Sequence, residues 1–184
     1  LENTLGIDAS SSVVGYTVLN TDLEVIEIDY IKLRSGDSLI EKSLVVRDKF
    51  LEIKNKANIT YIGIEDILTK FVAGRSSIKT IITLSQFNIL TQYQLFDVFG
   101  LTPQKINVLR ARNISGIKVP KQTDTKEFIL NTVQNWYPVI DWPEKRTGGV
   151  KKECYDMADS LVVAKALVLE NNEDGFNQRK ISSS

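Results

Sequence analysis

The sequence predicts an α/β fold: a mixed five-stranded sheet, three antiparallel strands followed by two parallel ones, flanked by helices. Three observations carry this prediction. Strand-like runs follow one another from Thr4 to Ile31 with only short turns between them, which makes an antiparallel meander. A helical pattern then separates this meander from the apolar run Ile59–Asp66, so that run can return parallel to the first strand through a crossover. Finally, the pattern starting at Glu153 is a helix that is apolar nearly all round, and such a helix is buried.

The first strand is Thr4-Leu5-Gly6-Ile7, and it stops abruptly at Asp8. Leu5 and Ile7 fit a strand covered on both faces, where an unpaired carboxylate does not belong. Asp8 is therefore either a turn residue bonding its own backbone or the ligand of a cation. Val13–Leu19 is the second strand, and Asn20-Thr21-Asp22 marks the next turn. Leu23–Ile31 alternates polar and apolar, as a half-exposed strand does.

Ser38 and Glu41 have the spacing of a capping box and open a helix that runs to about Lys56. Ile59–Asp66 is the fourth strand, again ending in carboxylates. If it lies parallel to the first, Asp8 and Glu65 emerge at the same edge of the sheet.

Ser76 to Phe99 is a long helix with two apolar stripes. Ile78, Ile81, Ile82, Ile89, Tyr93 and Phe96 form one; Leu84, Phe87, Leu95 and Val98 lie roughly opposite. One stripe faces the sheet. The other faces a neighbouring helix or a second copy of the chain, which would make a twofold dimer.

Lys105–Leu109 is predicted as the fifth strand. Arg110–Pro120 is a loop or short helix. The next helix runs from Thr123 through Val133 and is broken at Trp136-Tyr137-Pro138. Asp141–Lys152 is a loop, and the buried helix from Glu153 follows. Asp156 and Asp159 lie three residues apart near its start and share a face. Acids there favour the helix dipole, which accounts for either one singly but less well for both. The domain expected from this pattern spans residues 1–170, followed by a polar, frayed tail over 171–184.

Composition narrows the chemistry. The 184 residues contain no histidine and a single cysteine, Cys154. That removes histidine-assisted nucleophiles, histidine metal sites, internal disulfides and cysteine zinc sites. Carboxylates, lysines, water and metal are what remains for catalysis. No run of residues is long and apolar enough to span a bilayer, and no secretory pattern opens the chain. A cytoplasmic or nucleoid-associated protein is expected. Net charge is zero, yet basic residues dominate between Leu101 and Lys152. That stretch is either a surface facing a polyanion or an ordinary solvated loop surface.

Asp8, Glu65, Asp156 and Asp159 thus all sit at element ends. Clustered carboxylates repel one another unless cations neutralise them, and magnesium or manganese with oxygen ligands does this without histidine. Two such ions about 4 Å apart support phosphodiester hydrolysis.

The motifs Leu5-Gly6-Ile7-Asp8-Ala9-Ser10 with Gly15-Tyr16, then Ile62-Gly63-Ile64-Glu65, then Tyr155-Asp156-Met157-Ala158-Asp159-Ser160-Leu161 resemble the RuvC group of Holliday-junction resolvases, within the RNase H-like nuclease superfamily. The last motif is the most specific, and the resemblance covers Thr4 to Leu169. It implies that Asp8, Glu65 and Asp159 bind two Mg²⁺ or Mn²⁺ ions with Asp156 as fourth ligand. It implies a homodimer, through the 76–99 helix, that nicks opposite strands of a four-way DNA junction. Lys118, Lys121 and Lys126, with Lys126 first, become candidates for the scissile phosphate, and Arg112, Lys151 and Lys152 further candidates for DNA contact. Leu68 or Phe71 would be the wedge entering the junction. A short member of this kind suits a phage, virus or organelle. The same chemistry would also serve a ribonuclease of RNA–DNA hybrids. A non-catalytic nucleic-acid-binding module of the same fold is a further alternative.

Overall fold

The computed structural model describes residues 2–67 and 77–182, with side chains as far as 172. A five-stranded sheet in the order β3-β2-β1-β4-β5 forms its centre. Its strands are β1 (Asn3–Ala9), β2 (Val13–Asn20), β3 (Val25–Lys32), β4 (Ile59–Glu65) and β5 (Gln104–Ile106). The pairs β1–β2 and β2–β3 are antiparallel; β1–β4 and β4–β5 are parallel, as expected. The helices are α1 (Leu39–Lys56), α2 (Ile78–Phe99), α3 (Val108–Ile114), α4 (Thr125–Trp136) and α5 (Glu153–Ser182).

Alternation along the strands divides the core in two. Leu5 and Ile7 of β1, Val14, Tyr16 and Val18 of β2, and Ile62 and Ile64 of β4 point to one face. There they pack on Val46, Phe50 and Ile53 of α1 and on Phe87, Leu95 and Val98 of α2. The opposite face carries Gly6, Asp8, Gly15, Thr17, Gly63 and Glu65, and α5 lies across it. The helices α3 and α4 cover α5 from outside, with Ala111, Ile129, Leu130 and Val133 packed against Met157, Leu161 and Val162. Being covered on both sides is why α5 is apolar nearly all round.

Local chemistry sets the boundaries. Ser38 and Glu41 form the complete capping box of α1. Asn107 overrides the apolar run around it: its side chain accepts from the backbone N–H groups of Leu109 and Arg110, so β5 ends at Ile106 and Val108 and Leu109 belong to α3. Asp124 caps α4 in the same way through Glu127 N–H, and the helix continues past the expected Val133 to Trp136, just before Pro138. The backbone of α5 continues beyond Glu170 to Ser182, through the stretch expected as tail. That segment holds no proline, one glycine and several good helix formers.

The two stripes of α2 part as the sequence implies. Phe87, Leu95 and Val98 are buried, while Ile78, Ile82, Ile89, Tyr93 and Phe96 are exposed. Among the described residues no helix is long and apolar enough to cross a membrane.

A carboxylate cluster where strands one and four meet the last helix

Backbone register places the first two acids side by side. Gly6 pairs with Gly63 and Ile7 with Ile64 in the parallel β1–β4 ladder, so Asp8 and Glu65 follow at neighbouring strand ends on the same face. The end of β4 is held from two sides. Asn88 of α2 donates to Glu65 O at 3.2 Å, and Asp66 N–H donates to Ile106 O at 2.9 Å.

Glycines bring the other two acids in. Gly15 of β2 pairs with Asp8, and a Cβ added at Gly15 would overlap the backbone carbonyl of Asp156. A Cβ at Gly6 would overlap the carbonyl of Ser160 and meet Ala164 N at 2.5 Å. At Gly63 it would meet Val163 Cγ1 at 3.0 Å. These positions form a lane across three strands, with the backbone of α5 seated directly on Gly6 and Gly15 and its side chains reaching over Gly63. Side chains there would push the helix away. The hydroxyls of Thr17 and Ser160, both buried, hydrogen-bond at 2.8 Å and fix the helix along the lane. Asp159 is the residue before Ser160. Its place over β1 and β4 follows from that register.

The four acids act on one another through space. Burial, then the charges of Glu65, Asp159 and Asp156, hold the Asp8 carboxyl well above the usual carboxylate range. Burial and the charge of Asp159 push the Glu65 carboxyl from 4.5 up to about 7. Asp156 and Asp159 are also raised, chiefly by burial. Arg112 of α3 and Lys126 of α4 oppose these shifts: both lower Glu65 and Asp159, and Lys126 also lowers Asp8 and Asp156. Four carboxylates therefore face two cations, and the neighbourhood stays negative if all four ionise.

Arg112 Nη2 lies 3.6 Å from Asp159 Oδ1, both side chains being largely buried. Even so, Asp159 Oδ1 and Arg112 Nε have no hydrogen-bond partner. An oxygen-only donor set with an unpartnered buried oxygen has the chemistry a hard divalent cation requires. Among the described residues, however, no group of three or more such side chains stands in an arrangement that holds a metal ion as placed.

Of the basic residues singled out in the sequence, Lys126 is exposed and acts on all four acids through space without an ion pair, and Arg112 is paired with one of them. Lys118, Lys121 and Lys152 are exposed and Lys151 is half-buried, and none of these is a main influence on the four carboxyls. Leu68 and Phe71 lie outside the described residues. The pairing of Arg112 with Asp159 has no signature in the sequence. The lane does have one: isolated glycines inside strand patterns mark a close backbone approach.

No protein-family model matches the chain, and no curated protein matches it by sequence. Solved structures do match. Thermus thermophilus RuvC in complex with a Holliday junction substrate superposes with a TM-score of 0.68 at 11% identity, over 94% of this chain and 96% of that one. A second T. thermophilus RuvC structure gives 0.63 at 12% identity, over 94% and 96%. The yeast mitochondrial Holliday junction resolvase Ydc2 gives 0.52 at 14% identity, over 95% and 83%. The chain has the RNase H-like fold of these resolvases, as its motifs imply.

Proposed function

We propose that the protein is a metal-dependent, structure-selective DNA endonuclease that resolves four-way junctions by paired, symmetric nicks. One observation carries this reading. Acids far apart in sequence, on β1, β4 and α5, are gathered at one edge of the sheet, with the buried Asp159 Oδ1 left without a hydrogen bond. Nothing in the fold's stability calls for such a cluster, because mutual repulsion and burial both work against it.

Asp8, Glu65, Asp156 and Asp159 would hold the cations, Mg²⁺ or Mn²⁺ and two in number. Bound there, such ions supply an activated water and neutralise charge on the leaving oxygen. The protein's own groups do the rest. Asp8 and Glu65 are fixed by strand ends, and the start of α5 is fixed by the glycine lane, so the donor atoms sit on rigid elements. Lys126 is exposed and acts on all four acids, which suits it to a phosphate oxygen brought to them. Lys118, Lys121, Lys151 and Lys152 are candidates for more distant phosphates, whose contact makes binding fall steeply with salt.

Paired nicks need two sites. The exposed stripe Ile78, Ile82, Ile89, Tyr93 and Phe96 on α2 is an apolar helix face of the kind a twofold partner covers. The likeness to RuvC seen with a Holliday junction substrate supports the branched substrate.

The test is cleavage of a labelled four-way junction, an RNA–DNA hybrid and a linear duplex, each with Mg²⁺ and with EDTA. Symmetric nicks in the junction alone, lost in EDTA, are expected. Cutting confined to the hybrid by a monomeric protein would replace this reading with a ribonuclease. Binding without cutting under any condition would leave a recognition module. In the same assay Tyr93→Glu with Ile89→Glu should sediment as a monomer and lose the pairing of nicks. An unchanged mass would remove α2 as the interface.

A further inference from the structure

We infer that Arg112 is an internal counter-ion that competes with a divalent cation for Asp159 Oδ1. This rests on the metal site proposed above and concerns what occupies its carboxylates when no cation does.

The pair has an unusual form. A guanidinium that holds a carboxylate for structural reasons normally grips it with two short parallel hydrogen bonds. Here Arg112 Nη2 stands 3.6 Å from Asp159 Oδ1, a charge contact without a hydrogen bond. Arg112 Nε is also buried without a partner, and the two side chains are only 16% and 12% exposed. The backbone beneath the arginine, by contrast, is fixed. Asn107 caps α3, and Ser115 at its other end donates through Oγ to Val162 O of α5. Arg112 therefore stays beside the cluster and can shift by side-chain rotation alone.

A charge contact lacking hydrogen bonds neutralises a buried carboxylate without locking it. That suits an occupant that must be exchanged. A cation taking Asp159 Oδ1 has to displace the guanidinium, and the displacement opposes its binding. Lys126 bears on the same acids without an ion pair to any of them, so removing it relieves repulsion but frees no oxygen.

Titrating the full chain with Mn²⁺, and counting free Mn²⁺ by electron paramagnetic resonance, separates these roles. Removing the competing positive charge, Arg112→Gln should bind Mn²⁺ roughly tenfold more tightly than the wild type, and Lys126→Gln clearly less so. Arg112→Gln should also melt earlier than the wild type in EDTA, with the gap closing at saturating Mn²⁺. Equal tightening in both variants, or none in Arg112→Gln while the wild type binds, overturns the counter-ion role and leaves the proposed function standing. No Mn²⁺ binding by any of the proteins overturns both. If Arg112→Gln does not fold, the wild type answers the question: the Arg112 Nε–H resonance should move as Mg²⁺ saturates the site, and a resonance that stays put overturns the inference.

Discussion

Asp8→Asn is expected to lower junction cutting by on the order of a thousandfold or more while leaving junction binding in place and making the metal-free protein more stable at pH 8. The two effects have one cause. A carboxylate held among three others serves to bind cations, at the expense of the fold's stability when no cation is there. The direction with pH follows from the raised values. A group whose folded pKa lies above its unfolded one contributes stability below the unfolded pKa, and that contribution is lost as pH rises through the folded pKa. For the cluster, that window opens at the ordinary carboxylate range and extends to about 7 for Glu65. Metal-free wild type should therefore lose stability from about pH 4 to pH 7 and beyond.

Asn at position 8 stands in for the protonated acid and cannot ionise. At pH 8 in EDTA the variant should be the more stable of the two; at pH 4 they should nearly coincide. Saturating Mg²⁺ should restore the wild type and do little for the variant. Denaturant melts at the two pH values, with and without Mg²⁺, read this out. A variant less stable than the wild type at pH 8 in EDTA would mean that Asp8 is a turn residue bonding its own backbone.

Gly15→Ala is expected to cost about 3 kcal/mol or more and to reduce cutting even in protein that remains folded. The added methyl would overlap the carbonyl of Asp156, a backbone atom that no rotamer change can move aside. Relief requires lifting the first turn of α5, and Asp156 and Asp159 lift with it. Gly63→Ala should be milder, because its neighbours Val163 Cγ1, Ile106 Cδ1 and Leu167 Cδ2 are side-chain atoms. Gly36→Ala, with nothing within 4 Å of the new Cβ, is the control and should change stability by no more than about 0.5 kcal/mol. Thermal melts of the set give the order. If Gly15→Ala matched Gly36→Ala, the backbone-to-sheet seating of α5 would be refuted.

The sheet and the site were legible in the sequence to different depths. In the β1–β2–β3 meander and the α1 crossover, short turns and a period of 2 or 3.6 declare the half-exposed elements, and α5 declares itself as a helix-length stretch apolar nearly all round. The short elements after α2 do not. β5 is three residues long, and its end is decided by one capping side chain, Asn107, in a run that otherwise reads as strand. The convergence of Asp8 with Glu65 was readable from topology alone, since parallel neighbours end at one edge. How α5 approaches them was not: single glycines in strands mark a close approach but not by which element, and here Gly6 pairs with Gly63 of a strand distant in sequence while Gly15 sits opposite Asp8. The Arg112–Asp159 pair lies further still from any pattern: it joins α3 to α5, and neither residue's local sequence indicates the other.

If Asp8, Glu65 and Asp159 share a divalent cation, anomalous diffraction from crystals soaked in Mn²⁺ will locate it. An anomalous peak bounded by these three carboxylates in the wild type, absent from Asp8→Asn crystals treated alike, is the predicted result. A wild-type map with no peak there, at a Mn²⁺ concentration that supports cutting in solution, would contradict it.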